Sequence, residues 1–316
     1  MAQRTIAITG ISGYIGQSLL KKLENDASFE SIIGMDVRPM PRQSDKVKFY
    51  QMDVSSDIEA VLKENNVDAV VHCAFVVKMN TLSPKKQYKM SVIGTRNVFE
   101  TCAKLGINHI IYTSSLFVYE PNSSGLFYGE ESELIGNGML RYSMNKIEVE
   151  KYLSDFIKKN PQTVVTNLRI GIVIGPNASS MVKRALSAGI IFMHKKNVPK
   201  FQFIHEDDIA SLIITMLGRK TKGTFNITSK DTVSLSEITK ITGAYHAYLG
   251  NDTLCAVSYL EAFVAMMAAG FGAIIRPKMI RNFKTNSVLM DVTKMKKELD
   301  FKPKYSSIDA LKEMVK

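Results

Sequence analysis

The stretch "TIAITGISGYIGQSLLKKL", Thr5 to Leu23, constrains the fold more than any other part of the chain. A short apolar, β-rich run ends in Gly10. Gly13 and Gly16 follow at three-residue spacing, and Ile15, Leu19, Leu20 and Leu23 then fall at helical intervals. A strand that is apolar on both faces belongs inside a sheet covered from both sides. The helix that follows must therefore pack back onto that sheet.

The same unit recurs down the chain. Strand patterns "SIIGMDV", "DAVVHCA", "HIIYTSS" and "TVVTNLRIGIVIG" alternate with helical patterns "IEAVLKENN", "VIGTRNVFETCAKLG" and "NKIEVEKYLSDFIKKN". Repeated β-then-α order predicts an α/β fold: a doubly wound parallel sheet with helices on both faces. Beyond Pro176 the pattern turns irregular, with short helices, loops and isolated strands such as "TFNIT". The expected organisation is a dinucleotide-binding region over 1–176. A smaller, mixed substrate-binding region covers 177–316, with some of its segments returning to the sheet. Ligands of doubly wound sheets bind at the carboxyl edge of the strands.

Composition narrows the class. With 316 residues, 45% of them hydrophobic, the chain can bury a full core, and disorder is excluded. The formal charge of +11 favours anionic partners without choosing among them. The basic residues are dispersed, so nucleic acid is not favoured. Three cysteines with no CxxC pair argue against a disulfide framework or zinc ribbon. The N-terminus runs straight into a strand pattern, and the expected location is the cytoplasm. Leu254 to Ile275 is long and apolar, interrupted among charged residues only by Glu261. A buried or pocket-lining helix with a Gly-rich end at Gly270 and Gly272 is preferred to membrane contact.

Two groups of residues carry chemistry. Gly10, Gly13 and Gly16 lie between strand and helix, where glycine lets the backbone turn tightly and approach a pyrophosphate at a helix N-terminus. Asp36 ends the second strand, twenty residues past Gly16. An acid there can accept both ribose hydroxyls of NAD and repels a 2′-phosphate. Arg38 can instead hold that phosphate, so NAD is favoured and NADP stays open. Asp53 either meets the adenine amino group or caps the helix beginning near Ser56. In "RYSMNKIEVE", Tyr142 and Lys146 stand one helical turn apart on one face. A lysine near a phenol stabilises the phenolate, which can then exchange a proton with an alcohol or carbonyl. Ser114 and Ser115 end a strand at the same edge, where a hydroxyl can hold a substrate oxygen.

Ten segments in order, "TGISGYIG", "GMDVR", "MDVSS", "VVHCAF", "SVIGTRNV", "TSSLFVY", "YSMNK", "LRIGIVIGP", "FIHEDDIA" and "LDFKPKYS", cover nearly the whole chain. With them the chain resembles the extended short-chain dehydrogenase/reductase family, which includes nucleotide-sugar epimerases and 3β-hydroxysteroid dehydrogenase-like enzymes. The resemblance implies a Rossmann fold, an NAD cofactor and a catalytic trio of Ser115, Tyr142 and Lys146. It selects Ser115 over Ser114 by the spacing to Val118-Tyr119. It also implies that Lys146 touches the nicotinamide ribose and that Cys73, Ala74 and Phe75 line the cofactor. Tyr14, Ile15, Val54 and Thr113 join the expected cofactor contacts, and a homodimer is expected.

Departures from the family pattern shape the substrate reading. Ser91 stands where the family usually has Asn, and Glu120 replaces a common Gly. "SSL" stands in place of the dehydratases' Thr-Asp-Glu, which disfavours dehydration. Phe201 and Gln202 fill the places where sugar-nucleotide epimerases often carry Arg-Asp, and Lys200 is a poorer clamp for a pyrophosphate than a guanidinium fork. His205 and Asp208 are read as structural rather than as metal ligands. The leading expectation is an NAD(P)-dependent oxidoreductase acting on a secondary alcohol or ketone. The alternatives are a nucleotide-sugar epimerase and a non-catalytic dinucleotide sensor or RNA-binding protein on the same fold.

Overall fold

The computed structural model describes residues 4–77, 82–138, 140–178, 183, 189–196, 198–269 and 277–316. Its centre is a seven-stranded sheet. The strands are β1 (Arg4–Thr9), β2 (Phe29–Asp36), β3 (Val47–Gln51), β4 (Ala69–His72), β5 (His109–Ser115), β7 (Val164–Ile170) and β11 (Gly223–Ile227). They run in the spatial order β11-β7-β5-β4-β1-β2-β3, every neighbouring pair parallel. The order reverses between β1 and β4, and a crevice opens outside their carboxyl ends at such a switch point.

Both faces are covered, as the two-sided apolar strands require. On one face α1 (Tyr14–Leu23) packs beside α6 (Glu206–Arg219), burying Leu19, Leu20 and Leu23 against Ile209, Ile213 and Met216. There α10 (Thr293–Leu299) adds Met295 and Leu299. On the other face lie α2 (Glu59–Glu64), α4 (Gly94–Leu105) and α5 (Arg141–Lys159). They bury Leu62, Val98, Phe99, Val149, Leu153 and Phe156. Each fully buried side chain of this size contributes about 1.5–3 kcal/mol. α4 stops at Gly106, whose left-handed φ of 72° closes the helix.

The run "TVVTNLRIGIVIG" is not one strand. β7 ends at Ile170, and β8 (Ile172–Ile174) leaves the sheet to pair in parallel with β10 (Phe203–His205). The break falls at Gly171, where a Cβ would lie 2.8 Å from the Thr228 hydroxyl. Two further pairs, β6 (Phe127–Tyr128) with β13 (Leu289–Met290) and β9 (Ile190–His194) with β12 (Tyr245–Leu249), belong to the smaller region. Its core joins Ile174, Phe203 and Val233 to Ile238 of α7 (Leu235–Thr242) and to Leu311 and Met314 of α11 (Ser307–Val315). Ser234 with Glu237, and Ser306 with Asp309, form capping boxes at the starts of α7 and α11.

The apolar stretch from Leu254 begins within α8 (Asn251–Ala269). Leu254 and Ser258 are buried, while Tyr259 and Leu260 are 57% and 62% exposed. The first part of the helix, residues 251–261, is therefore half covered, and the side chains of 262–269 lie outside the described residues. Gly270, Gly272 and Ile275 lie outside the described residues. No helix among the described residues is long and apolar enough to cross a membrane.

Candidate active site

The loop after β1 is built for close approach. Gly10 has φ +71°, and a Cβ there would lie 2.6 Å from the backbone N of Ala74. Only glycine lets the loops leaving β1 and β4 touch. At Gly16 a Cβ would strike the Gly10 carbonyl at 2.5 Å, so α1 also presses onto the loop. The result is a backbone cradle at the N-terminus of α1, whose dipole favours anions. A dinucleotide diphosphate fits such a cradle. Ile15, in the first turn of α1, packs partly buried against the core, and Val54 is buried under α4, its carbonyl accepting from Asn97 at 2.8 Å.

Asp36 ends β2 beside the cradle and is 6% exposed. One carboxylate oxygen accepts the Ser12 N–H at 3.1 Å, and the other accepts the Arg38 N–H at 3.0 Å. The Arg38 guanidinium folds back onto the same carboxylate at 3.3 Å, with its side chain largely exposed. Asp36 and Arg38 thus form one bonded unit beside the cradle. Asp53 accepts the Ser55 N–H at 2.9 Å, forming a turn ahead of α2 rather than a cap on its first residue.

The serine pair divides its work. The Ser114 hydroxyl donates to Glu150 at 2.6 Å. Ser115 accepts the Phe117 N–H at 3.3 Å, and its hydroxyl lies beside the Tyr142 phenol. The Tyr142 ring stands edge-on to Phe75 and Phe117, with centroids 5.5 and 6.0 Å away. Burial pushes this phenol up to about 12, and the Ser115 hydroxyl works against that rise.

Lys146 is 2% exposed. Its Nζ donates to the Thr113 carbonyl at 2.7 Å and to the Tyr112 hydroxyl at 3.1 Å. It also lies 3.7 Å from the Phe75 ring centroid and 4.6 Å from that of Tyr112. Burial pulls the ammonium down to about 7, while the charge of the Glu150 carboxylate opposes that fall. The Lys146 Nζ lies 5.8 Å from the Tyr142 ring centroid. Cys73 is half-buried, and burial raises its thiol to about 12. The loop carrying Cys73, Ala74 and Phe75 is held by Ser91, whose hydroxyl accepts the Val76 N–H at 3.2 Å from a π-helical turn.

Three features escape sequence reasoning. Tyr112 lies within "HIIYTSS", yet nothing local shows that its phenol meets Lys146. Glu150 stands one turn beyond Lys146 on the same helix face, a spacing that could have marked it. It receives a fork of Arg169 bonds at 2.6 to 3.1 Å, and Arg169 also donates to the Tyr119 hydroxyl at 2.8 Å. Glu206, within the segment read as structural, accepts a short hydrogen bond from the Tyr14 hydroxyl. Its neighbours fit the structural reading: Asp208 accepts the Lys304 and Tyr305 N–H groups, and His205 stacks on Tyr305 at 4.0 Å. Phe201 stacks on Phe203 at 6.2 Å, and buried Gln202 exchanges bonds with Met290.

A glycine cradle at the N-terminus of α1, a buried acid at the end of β2 and a Ser-Tyr-Lys cluster at one sheet edge fit a dinucleotide-dependent enzyme of the Rossmann class. Residues 6–228 match the model of the NAD dependent epimerase/dehydratase family, and the chain belongs to that family. A UDP-glucose 4-epimerase of Neisseria meningitidis is 28% identical over 57% of this chain and 56% of its own length. A decarboxylating sterol-4-alpha-carboxylate 3-dehydrogenase of Saccharomyces cerevisiae is 33% identical over 35% of this chain and 34% of its own. An uncharacterized Mycobacterium tuberculosis protein is 22% identical over 97% of this chain and 82% of its own. In fold, the chain is similar to the Thermotoga maritima UDP-glucose 4-epimerase bound to UDP-glucose. The TM-score is 0.74 at 19% identity, covering 98% of this chain and 97% of that one.

Proposed function

We propose that the protein transfers hydride between NAD and a secondary alcohol or ketone, with Tyr142 as general acid/base. The placing of Tyr142 one helical turn from buried Lys146, with the lysine Nζ 5.8 Å from the phenol ring centroid at the sheet edge where β5 ends in Ser115, carries this reading. Ser115 holds the substrate oxygen beside the phenol. In reduction, Tyr142 donates its proton to the carbonyl oxygen as the carbon receives hydride; in oxidation, the phenolate takes the hydroxyl proton. Lys146 supplies the positive charge that eases phenolate formation. NAD, when bound along the Gly10–Gly16 cradle with its ribose at Asp36, supplies the hydride acceptor. The position where an arginine would grip a substrate pyrophosphate is packed with Phe201, which favours an apolar substrate over a nucleotide sugar.

The test is a thermal-shift comparison of NAD, NADH, NADP and NADPH on the wild type and on Asp36→Ala. NAD or NADH should raise the melting point, with the rise reduced in the variant, because a ligand that binds only the native state stabilises it. A screen of alcohols and ketones follows, with Tyr142→Phe as control and a loss of about 10²–10⁴ in turnover expected. No shift from any dinucleotide would overturn the reading.

A second reading, a nucleotide-sugar epimerase, is favoured by the likeness to the Neisseria UDP-glucose 4-epimerase. It uses the same trio but returns the hydride to the substrate within one turnover. NAD released on denaturing the purified protein, with no net reduction of added NAD, would support it.

A further inference from the structure

Tyr14 begins α1 at the cradle, and Glu206 begins α6 beside it. The two helices pack together and meet the same carboxyl edge. The Tyr14 hydroxyl donates to one Glu206 carboxylate oxygen, and the Asn177 side-chain N–H₂ donates to the other. Asn177 follows β8, in the region outside the main sheet. Glu206 is 4% exposed. Gly175 gives it room, since a Cβ there would lie 2.8 Å from the carboxylate carbon. Burial and the Glu206 charge both raise the Tyr14 phenol, so its proton stays in this bond at neutral pH.

This bridge joins residues 192 apart in the chain. At a helix N-terminus a carboxylate is favourable, and the first turn of α6 carries Glu206, Asp207 and Asp208. Of these three, the described bonds turn Glu206 toward the cradle, whereas Asp208 serves the backbone at Lys304 and Tyr305. A phenylalanine at position 14 would fill the same space without making the bond. The hydroxyl therefore adds a tie between the first loop and the smaller region.

We propose that Glu206 is a positioning residue of the cofactor groove, and that the Tyr14–Glu206–Asn177 bridge straps the groove and slows departure of bound dinucleotide. This rests on the reading that the groove holds NAD. Removing a tie that holds two walls together acts on dissociation more than on association.

The experiment is stopped-flow release of NADH, displaced by excess NAD, from the wild type and from Tyr14→Phe, Asn177→Ala and Glu206→Gln. Tyr14→Phe leaves the carboxylate in place and should release NADH about tenfold faster, with association changed less than twofold. Asn177→Ala should move the rate the same way. Glu206→Gln keeps an acceptor for Tyr14 and should fall between them and the wild type. Melting curves check that each variant is folded, and Asn177→Ala carries the test if Tyr14→Phe does not fold. Release rates within twofold of the wild type in both variants would overturn the strap while leaving the function standing. A wild type that binds no dinucleotide would overturn both together.

Discussion

Lys146 is the residue whose surroundings say most. It is enclosed by Phe75, Tyr112 and Tyr142 and bonded to the Thr113 carbonyl, a setting that accepts a cation but removes its water. Its ammonium falls from the ordinary 10.5 to about 7. The unfolded chain keeps that proton to pH 10.5, so between pH 7 and 10.5 the unfolded state binds more protons and stability rises with pH. Cys73 and Tyr142, both raised to about 12, act in the opposite direction above their ordinary values of 9.0 and 10.0. The ligand-free protein should therefore gain on the order of 2 kcal/mol between pH 7 and 9. Denaturant titrations at the two pH values measure this, and Lys146→Met should flatten the slope. An equal slope in the variant would mean that Lys146 is not the group responsible. The sequence pattern Tyr142-x-x-x-Lys146 places the pair on one face. It does not reveal that the lysine reaches a strand carbonyl and a second phenol.

At the scale of elements, α5 is fixed to the strands beneath it by a deeply buried charge pair. Glu150 takes Ser114 from β5 and the guanidinium of Arg169 from β7, and Arg169 passes the linkage to Tyr119 and the Glu130 carbonyl. Both side chains of the ion pair are under 10% exposed, at 7% and 4%. Removing one partner of such a pair leaves the other charge buried and costs about 3–5 kcal/mol. Glu150→Gln should fall in or near that range by chemical denaturation. Replacing both, as Glu150→Leu with Arg169→Met, should cost less than the single change. A double variant less stable than Glu150→Gln would show that each group is held independently. The fold around this helix was largely legible, because strands apolar on both faces and helical spacing leave few arrangements. The end of β7 was not, since the side chain that makes Gly171 necessary is Thr228, far along the chain and beside it only in space.

For the molecule as a whole, the irregular pattern after Pro176 suggested a change of region, yet the main sheet does not end there. β11 adds its seventh strand against β7, and α6 and α10 cover the face that α1 shares. Local pattern predicts that some later segments return to the sheet but not which ones, because strand adjacency depends on where the chain returns, not on what precedes it. The Arg169–Tyr119 linkage likewise ends on Asn226 of β11, whose side chain accepts from Tyr119 at 2.7 Å. A fragment of residues 1–176 would expose Leu168, Ile170 and the α1 stripe of Leu19, Leu20 and Leu23, all buried in the full chain. It would also leave β7 as an open edge, which invites aggregation. We therefore expect the fragment to lack a cooperative thermal transition and to bind dinucleotide at least 100-fold more weakly than the full chain, because only the folded fraction binds. Circular dichroism melts and NADH titration of the two proteins measure this directly. A cooperative melt of the fragment with near-native NADH binding would show that the first region folds alone, and that β11, α6 and α10 only decorate it.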